Sequence, residues 1–258
     1  MRGDWRALAA LLALVATGCA GDGGKAKPAT QANGPATAAA ARADAPGAQG
    51  DSTTDASASG ERPVILFLGT SLTAGLGLDP DSAYPARIQR KADSAGMRFE
   101  VVNAGVSGET SAGLLRRLEW VLRRPAAVIV VETGANDGLR GQPVSSTKAT
   151  IGKILDRIHA EQPNAKVLLV QMEAPTNLGE RYTRAFHDMY PALVREHGVT
   201  LLPFLLERVA GIPSLNQADG IHPNNQGEAM VAENVWRGME GELRLSGGQE
   251  VGNAPVGP

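Results

Sequence analysis

Asp219-Gly220-Ile221-His222-Pro223 sets an aspartate three residues ahead of a histidine. The proline after His222 biases the histidine away from helix and towards a loop or boundary. An aspartate at that spacing can accept the Nδ1 proton and fix the imidazole tautomer, which leaves Nε2 as a base: the base and orienter of a Ser-His-Asp relay. The same residues also suit an Asp-Gly turn with an incidental histidine. A serine lies in Gly69-Thr70-Ser71-Leu72-Thr73-Ala74-Gly75, directly after an apolar run. Serine in that position is most often a helix cap. The glycines do not make a Walker A loop, which ends in Gly-Lys-Ser/Thr, and Thr73 breaks a Gly-x-Ser-x-Gly elbow. In Glu132-Thr133-Gly134-Ala135-Asn136-Asp137-Gly138, the asparagine and glycines suit a turn. The other histidines compete poorly for chemistry. His159 and His187 fall in amphipathic patterns beside charges, and His197 precedes Gly198 at a helix end, where a cation meets the helix dipole favourably.

These segments need a scaffold that brings them together, and the hydrophobic pattern supplies one. Continuous apolar runs at 63–68, 99–102, 126–131, 166–171 and 199–202 read as buried parallel strands. Helical periodicity falls between them. Leu114, Leu118 and Val121 share a face after the candidate caps Thr110 and Ser111; so do Ile151, Ile154, Leu155 and Ile158, and also Tyr182, Phe186, Met189, Tyr190 and Leu193. A last helix is expected over about residues 226–242. Strand–helix alternation with short connections predicts an α/β fold, a parallel sheet with helices on both faces. In such sheets the binding crevice lies beyond the carboxyl ends of the strands. No internal repeat is present.

The full chain has 258 residues, 43% hydrophobic and 20% charged, with a net charge of −2. That balance lacks the basic excess of a nucleic-acid protein. The single cysteine excludes an intrachain disulfide, and with four histidines no Cys/His zinc site, or other metal site, is expected. Cys19 itself follows Arg2, Arg6 and an apolar stretch over 7–16, too short to span a bilayer but suited to a signal-peptide core. The small residues before Cys19 resemble a bacterial lipobox, with Ala16 where leucine is usual, so residues 1–18 are expected to be a lipoprotein-type signal and Cys19 the lipidated first mature residue. Cleavage after Ala20, releasing a soluble exported protein, is the alternative. From Ala20 to Gly60 there is no Val, Ile, Leu, Met or aromatic residue. Such a segment cannot bury enough apolar surface to offset its ordering entropy, so 19–60 is expected to be a disordered tether and 246–258 a disordered tail. One domain remains, over 61–245.

Four segments in series carry a family resemblance: Gly69-Thr70-Ser71; Asn103-Ala104-Gly105-Val106-Ser107-Gly108-Glu109-Thr110; Gly134-Ala135-Asn136-Asp137; and Asp219-Gly220-Ile221-His222-Pro223. The chain resembles the SGNH hydrolases, also called GDSL esterases, and within them the bacterial arylesterase and multifunctional thioesterase I/lysophospholipase group. Thr70 departs from the family's aspartate. The resemblance implies a three-layer α/β/α, flavodoxin-like fold with a five-stranded parallel sheet. It implies Ser71 as nucleophile, His222 as base and Asp219 as its orienter, with Ser71, Gly108 and Asn136 forming the oxyanion hole. No cofactor is implied. Expected substrates are small acyl esters, thioesters or lysophospholipids; alternatives are an O-acetyl esterase acting on cell-wall or polysaccharide acetyl groups, and a non-catalytic tethered binding module. Leu139 and Leu178, on loops after the third and fourth strands, are expected to wall the acyl group, and Arg140 to be solvated. A monomer in the cell envelope, held to the membrane by its lipid anchor and free of nucleic acid, completes the expectation.

Overall fold

The computed structural model describes residues 62–246. The expected signal segment 1–18, Cys19, the expected tether 19–60 and, beyond Ser246, the expected tail 246–258 lie outside the described residues. Five strands, Val64–Gly69 (β1), Glu100–Gly105 (β2), Val128–Val131 (β3), Lys166–Gln171 (β4) and Thr200–Phe204 (β5), pair in parallel in the order β2-β1-β3-β4-β5. Seven helices accompany them: Ser71–Ala74 (α1), Tyr84–Ser94 (α2), Ser111–Val121 (α3), Ala135–Leu139 (α4), Val144–Glu161 (α5), Glu180–His197 (α6) and Asn225–Leu245 (α7). Parallel neighbours require crossovers, and right-handed ones put α2 on one face of the sheet and α3, α5 and α6 on the other. The contacts agree: α2 packs on α7, while α5 packs on both α3 and α6. This is the parallel sheet with helices on both faces that the apolar pattern predicts, in the three-layer, flavodoxin-like form that the family resemblance implies.

Burial follows strand position. Every residue of β1 and β3 is buried, whereas the edge strands β2 and β5 are mostly half-buried. Hydrophobicity alone misplaces some strand limits. β2 runs on past its valines because Asn103, Ala104 and Gly105 pair with Phe67, Leu68 and Gly69, so the backbone ladder outlasts the apolar run. β5 continues through Pro203, a residue tolerated at a sheet edge. α6 contains Pro191, which lacks the N–H that the His187 carbonyl would otherwise receive. The Gln171 side chain at the end of β4 donates to that carbonyl instead, at 3.3 Å.

One buried acid ties the two helices on the first face. Ala83, ahead of α2, offers no side-chain cap, and the Tyr84 N–H donates instead to Glu228 Oε2 of α7 at 2.7 Å. Glu228 is 1% exposed. Burial pushes its carboxyl up to about 8, against the Tyr84 hydrogen bond and the charge of Arg87. An acid whose folded pKa is raised binds its proton more tightly in the native state. Its contribution is therefore complete below the unfolded value of about 4.3 and is lost as pH rises towards about 8, at no more than about 1.4 kcal/mol per pH unit. Glu228→Gln keeps an acceptor for Tyr84 but does not titrate. Its melting temperature is expected to vary less with pH than that of the wild type between about pH 5 and 8. Parallel curves for the two proteins would contradict this assignment.

Candidate active site

The sheet order reverses between β1 and β3, so a crevice opens at their carboxyl ends. β1 ends at Gly69, and α1 begins two residues later. Thr70, not Ser71, takes the capping position, its hydroxyl accepting the Leu72 N–H at 3.4 Å. Ser71 is thus the first helical residue, and its hydroxyl is free for another partner. That partner is His222, with Nε2 2.8 Å from Ser71 Oγ. The one-turn helix closes at Gly75, whose φ of 70° is left-handed. Gly105 of β2 lets α1 lie close, since a Cβ there would come within 2.4 Å of the Ala74 nitrogen.

His222 lies in the loop between β5 and α7, 151 residues from Ser71 in sequence. Asp219 holds it in two ways. Its Oδ2 lies 2.7 Å from His222 Nδ1, while its Oδ1 accepts the Ile221 and His222 N–H groups at 2.9 and 3.0 Å. Burial would raise the Asp219 carboxyl, but the hydrogen bonds from the His222 side chain and the two backbone N–H groups outweigh it and hold the carboxyl below its usual range. The loop is stapled by Gln217, whose backbone N–H donates to the His222 carbonyl at 2.7 Å. Its side-chain amide donates to both Pro223 and Leu76 carbonyls, at 2.9 and 2.7 Å. The Leu76 contact joins the histidine loop to the chain just after α1. Nothing local in the sequence marks Gln217, a glutamine that bonds 141 residues away.

Asn136 is the second residue of α4, which starts soon after β3. Its Nδ2 donates one hydrogen to the Glu109 carbonyl at 3.0 Å, and a side-chain amide nitrogen carries two. Gly108 has a φ of 76°, a left-handed conformation that glycine adopts without strain. The N–H groups of Ser71 and Gly108 find no acceptor among the described residues. The segment carrying Gly108 is held from both sides. Arg117 clamps Glu109 with Nε–Oε1 and Nη2–Oε2 distances of 2.7 Å each, and its Nη2 also donates to the Ala104 carbonyl. Asp137, next to Asn136, accepts the Ser111 N–H and hydroxyl at 2.8 and 2.7 Å, which docks α4 on the start of α3. Thr110 is the α3 cap; Ser111 instead donates to Asp137.

Arg140 is exposed, as expected, and its guanidinium also donates to the Gly108 carbonyl at 3.0 Å. Leu139 ends α4 and is exposed, while Leu178 is half-buried in the turn after β4. The two loops abut, since a Cβ on Gly141 would lie 3.8 Å from Leu178 Cδ2. His187 and His197 take no part in the site; their Nδ1 atoms pair with Glu173 and Asp156. A cavity of about 520 Å³ on the α2–α7 face, lined by Arg87, Lys91, Glu233 and Trp236 among others, contains none of the site residues. The candidate site is therefore formed by the loops after β1, β2, β3 and β5, at the carboxyl ends of the strands.

Residues 67–230 match the model of the GDSL-like lipase/acylhydrolase family. The chain is 40% identical over 173 residues to esterase TesA of Pseudomonas aeruginosa, an alignment covering 67% of this chain and 85% of that protein. It is 41% identical over 170 residues to thioesterase 1/protease 1/lysophospholipase L1 of Escherichia coli K12, covering 66% and 79% respectively. Among solved structures, the psychrotrophic esterase EstA from Pseudoalteromonas sp., inhibited by monoethylphosphonate, superposes with a TM-score of 0.66 at 31% identity, over 70% of this chain and 98% of that one.

Proposed function

The chain belongs to the GDSL-like lipase/acylhydrolase family of ester hydrolases, and on that premise we propose that it cleaves short- to medium-chain acyl esters or thioesters through an acyl intermediate on Ser71. The observation that carries this reading is the continuous Ser71–His222–Asp219 hydrogen-bond chain, at 2.8 and 2.7 Å, beside two backbone N–H groups without acceptors among the described residues. Ser71 Oγ attacks the carbonyl carbon as His222 Nε2 takes its proton, and Asp219 stabilises the imidazolium through Nδ1–H. The carbonyl oxygen gains the charge and receives the Ser71 and Gly108 N–H groups and the second Asn136 amide hydrogen. Such donors act most strongly when they are already oriented before charge develops. As the intermediate collapses, His222 returns the proton to the departing alcohol or thiol. Water then attacks the acyl-serine by the same route and regenerates Ser71.

Leu139 and Leu178 contribute apolar surface for the acyl chain, and a lysophospholipid offers the same ester to the same groups. The setting belongs to the proposal: the basic start, the apolar segment 7–16 and the small residues before Cys19 support export to the bacterial cell envelope and lipidation of Cys19. A panel of p-nitrophenyl esters, acyl-coenzyme A thioesters, lysophosphatidylcholine and acetylated glycans tests the substrate class. Highest kcat/KM is expected on butyryl to octanoyl groups, with phosphonate label found on the Ser71 peptide. Preference for acetylated glycans would replace this reading by the O-acetyl esterase, and hydrolysis of none would favour a binding module. Mass spectrometry of the mature N-terminus should find a lipidated Cys19; an unmodified Gly21 would remove the anchor.

A further inference from the structure

Glu132 follows β3 directly, is wholly buried and carries no ion pair among the described residues. Nothing in the triad or the oxyanion hole uses it. Three donors nonetheless converge on one of its oxygens: Oε2 receives the Thr70 N–H at 2.7 Å, the Thr70 hydroxyl at 2.9 Å and the Thr73 hydroxyl at 3.0 Å. Thr73 Oγ1 in turn lies 2.8 Å from the hydroxyl of Tyr84, which is also wholly buried. These donors come from the residue before Ser71 and from the residue two after it. Gly69 makes the approach possible, because a Cβ there would come within 1.9 Å of Thr73 Oγ1 and 2.8 Å of Glu132 Oε2.

We infer that Glu132 is a positioning residue for the reaction, its Oε2 gathering the backbone and hydroxyl donors on either side of Ser71 so that both the nucleophile and its N–H are held in place. The geometry explains how. The Thr70 carbonyl accepts the Ala74 N–H at 3.0 Å, inside the one-turn helix. In a trans peptide the N–H points opposite to the carbonyl, so the Ser71 N–H of that same peptide is directed away from the helix interior. Glu132 fixes the preceding N–H and the Thr73 side chain, which leaves the Thr70–Ser71 peptide little freedom to rotate. A helix of one turn has almost no stability of its own, so the restraint has to come from outside it. Thr70 also acquires a reason. Its hydroxyl donates to Glu132, whereas an aspartate would set two buried carboxyls together, and such a pair must share a proton. Burial pushes the Glu132 carboxyl up, against the hydrogen bonds from Thr70 and Thr73, and the charge of Glu109 adds to the rise.

This inference rests on Ser71 being the nucleophile, and its test separates the two. Glu132→Met fills similar volume with no acceptor, while Glu132→Gln retains an oxygen for the three donors. With p-nitrophenyl butyrate, Glu132→Met is expected to lower kcat by about 10²-fold, the loss that a displacement of about 1 Å produces, with KM within about threefold of the wild type. Glu132→Gln is expected to recover to within about tenfold of the wild-type kcat, since the acceptor is what matters. The rate of phosphonate labelling of Ser71 should follow kcat in both variants. A merely structural role would lower the melting temperature and leave the kcat of the folded protein unchanged, and that result overturns the inference. If Glu132→Met does not fold, Thr73→Val, which removes one donor, is read in the same way: kcat reduced at constant KM supports the role, and wild-type kcat rejects it. Full turnover by Ser71→Ala would instead reject Ser71 as nucleophile.

Discussion

Ser71→Ala is expected to reduce kcat on p-nitrophenyl esters by on the order of 10⁴- to 10⁶-fold, with little change in KM. The alanine removes the atom proposed to form the acyl intermediate but leaves the N–H of residue 71, the Gly108 N–H and the Asn136 amide in place. The residual rate should therefore stand above that of water alone, supplied by binding and by oxyanion donors. Because Ser71 and His222 act as one unit joined at 2.8 Å, adding His222→Ala to Ser71→Ala should cost almost nothing more. Losses that multiply would mean the two side chains act in separate steps, and equal turnover by wild type and Ser71→Ala would reject the mechanism.

Asp219→Asn should lower kcat by about 10⁴-fold near neutral pH while leaving the fold almost unchanged. The loop geometry makes this substitution unusually informative. Asp219 Oδ1 accepts the Ile221 and His222 N–H groups, and an asparagine oxygen in that position accepts both equally well, so the turn survives. Only Oδ2, facing His222 Nδ1 at 2.7 Å, becomes an NH₂. An amide donor there demands an unprotonated Nδ1 and sends the ring proton to Nε2, which then cannot accept the Ser71 hydroxyl. A large loss of rate with an unchanged melting temperature separates the orienter from a residue that merely forms an Asp-Gly turn. The reverse pattern, lower stability with normal turnover, would assign Asp219 to the turn alone.

Much of this molecule is legible in the linear chain because its signals are local. A buried parallel strand must be apolar along its length, so 63–68 and 166–171 announce themselves. The Asp219–His222 contact closes across three residues and is readable from spacing. Contacts between residues far apart in the chain leave no such local signal. Ser71 reads as a cap until the structure gives that position to Thr70, because a serine in either place satisfies the same local pattern. Glu132 reads as the polar end of an apolar strand, and its only sequence signal is a charge directly after four buried aliphatic residues. Arg140 reads as a solvated cation and is one, but its added bond to the Gly108 carbonyl, 32 residues away, has no local signal.

The sequence by itself determined the parallel α/β scaffold and the spacing of the histidine–aspartate pair, which follow from the period of apolar residues and from short-range spacing, whereas the four segments in series are legible only as a family resemblance. Only the tertiary structure decided how Ser71 meets His222 across 151 residues, how Glu132 gathers the donors flanking Ser71, and how Asp137, Arg117 and Gln217 hold the surrounding loops. Hydrogen bonds of that kind depend on direction and on distances of about 3 Å, and residues far apart in the chain reach them only after the sheet and helices have packed.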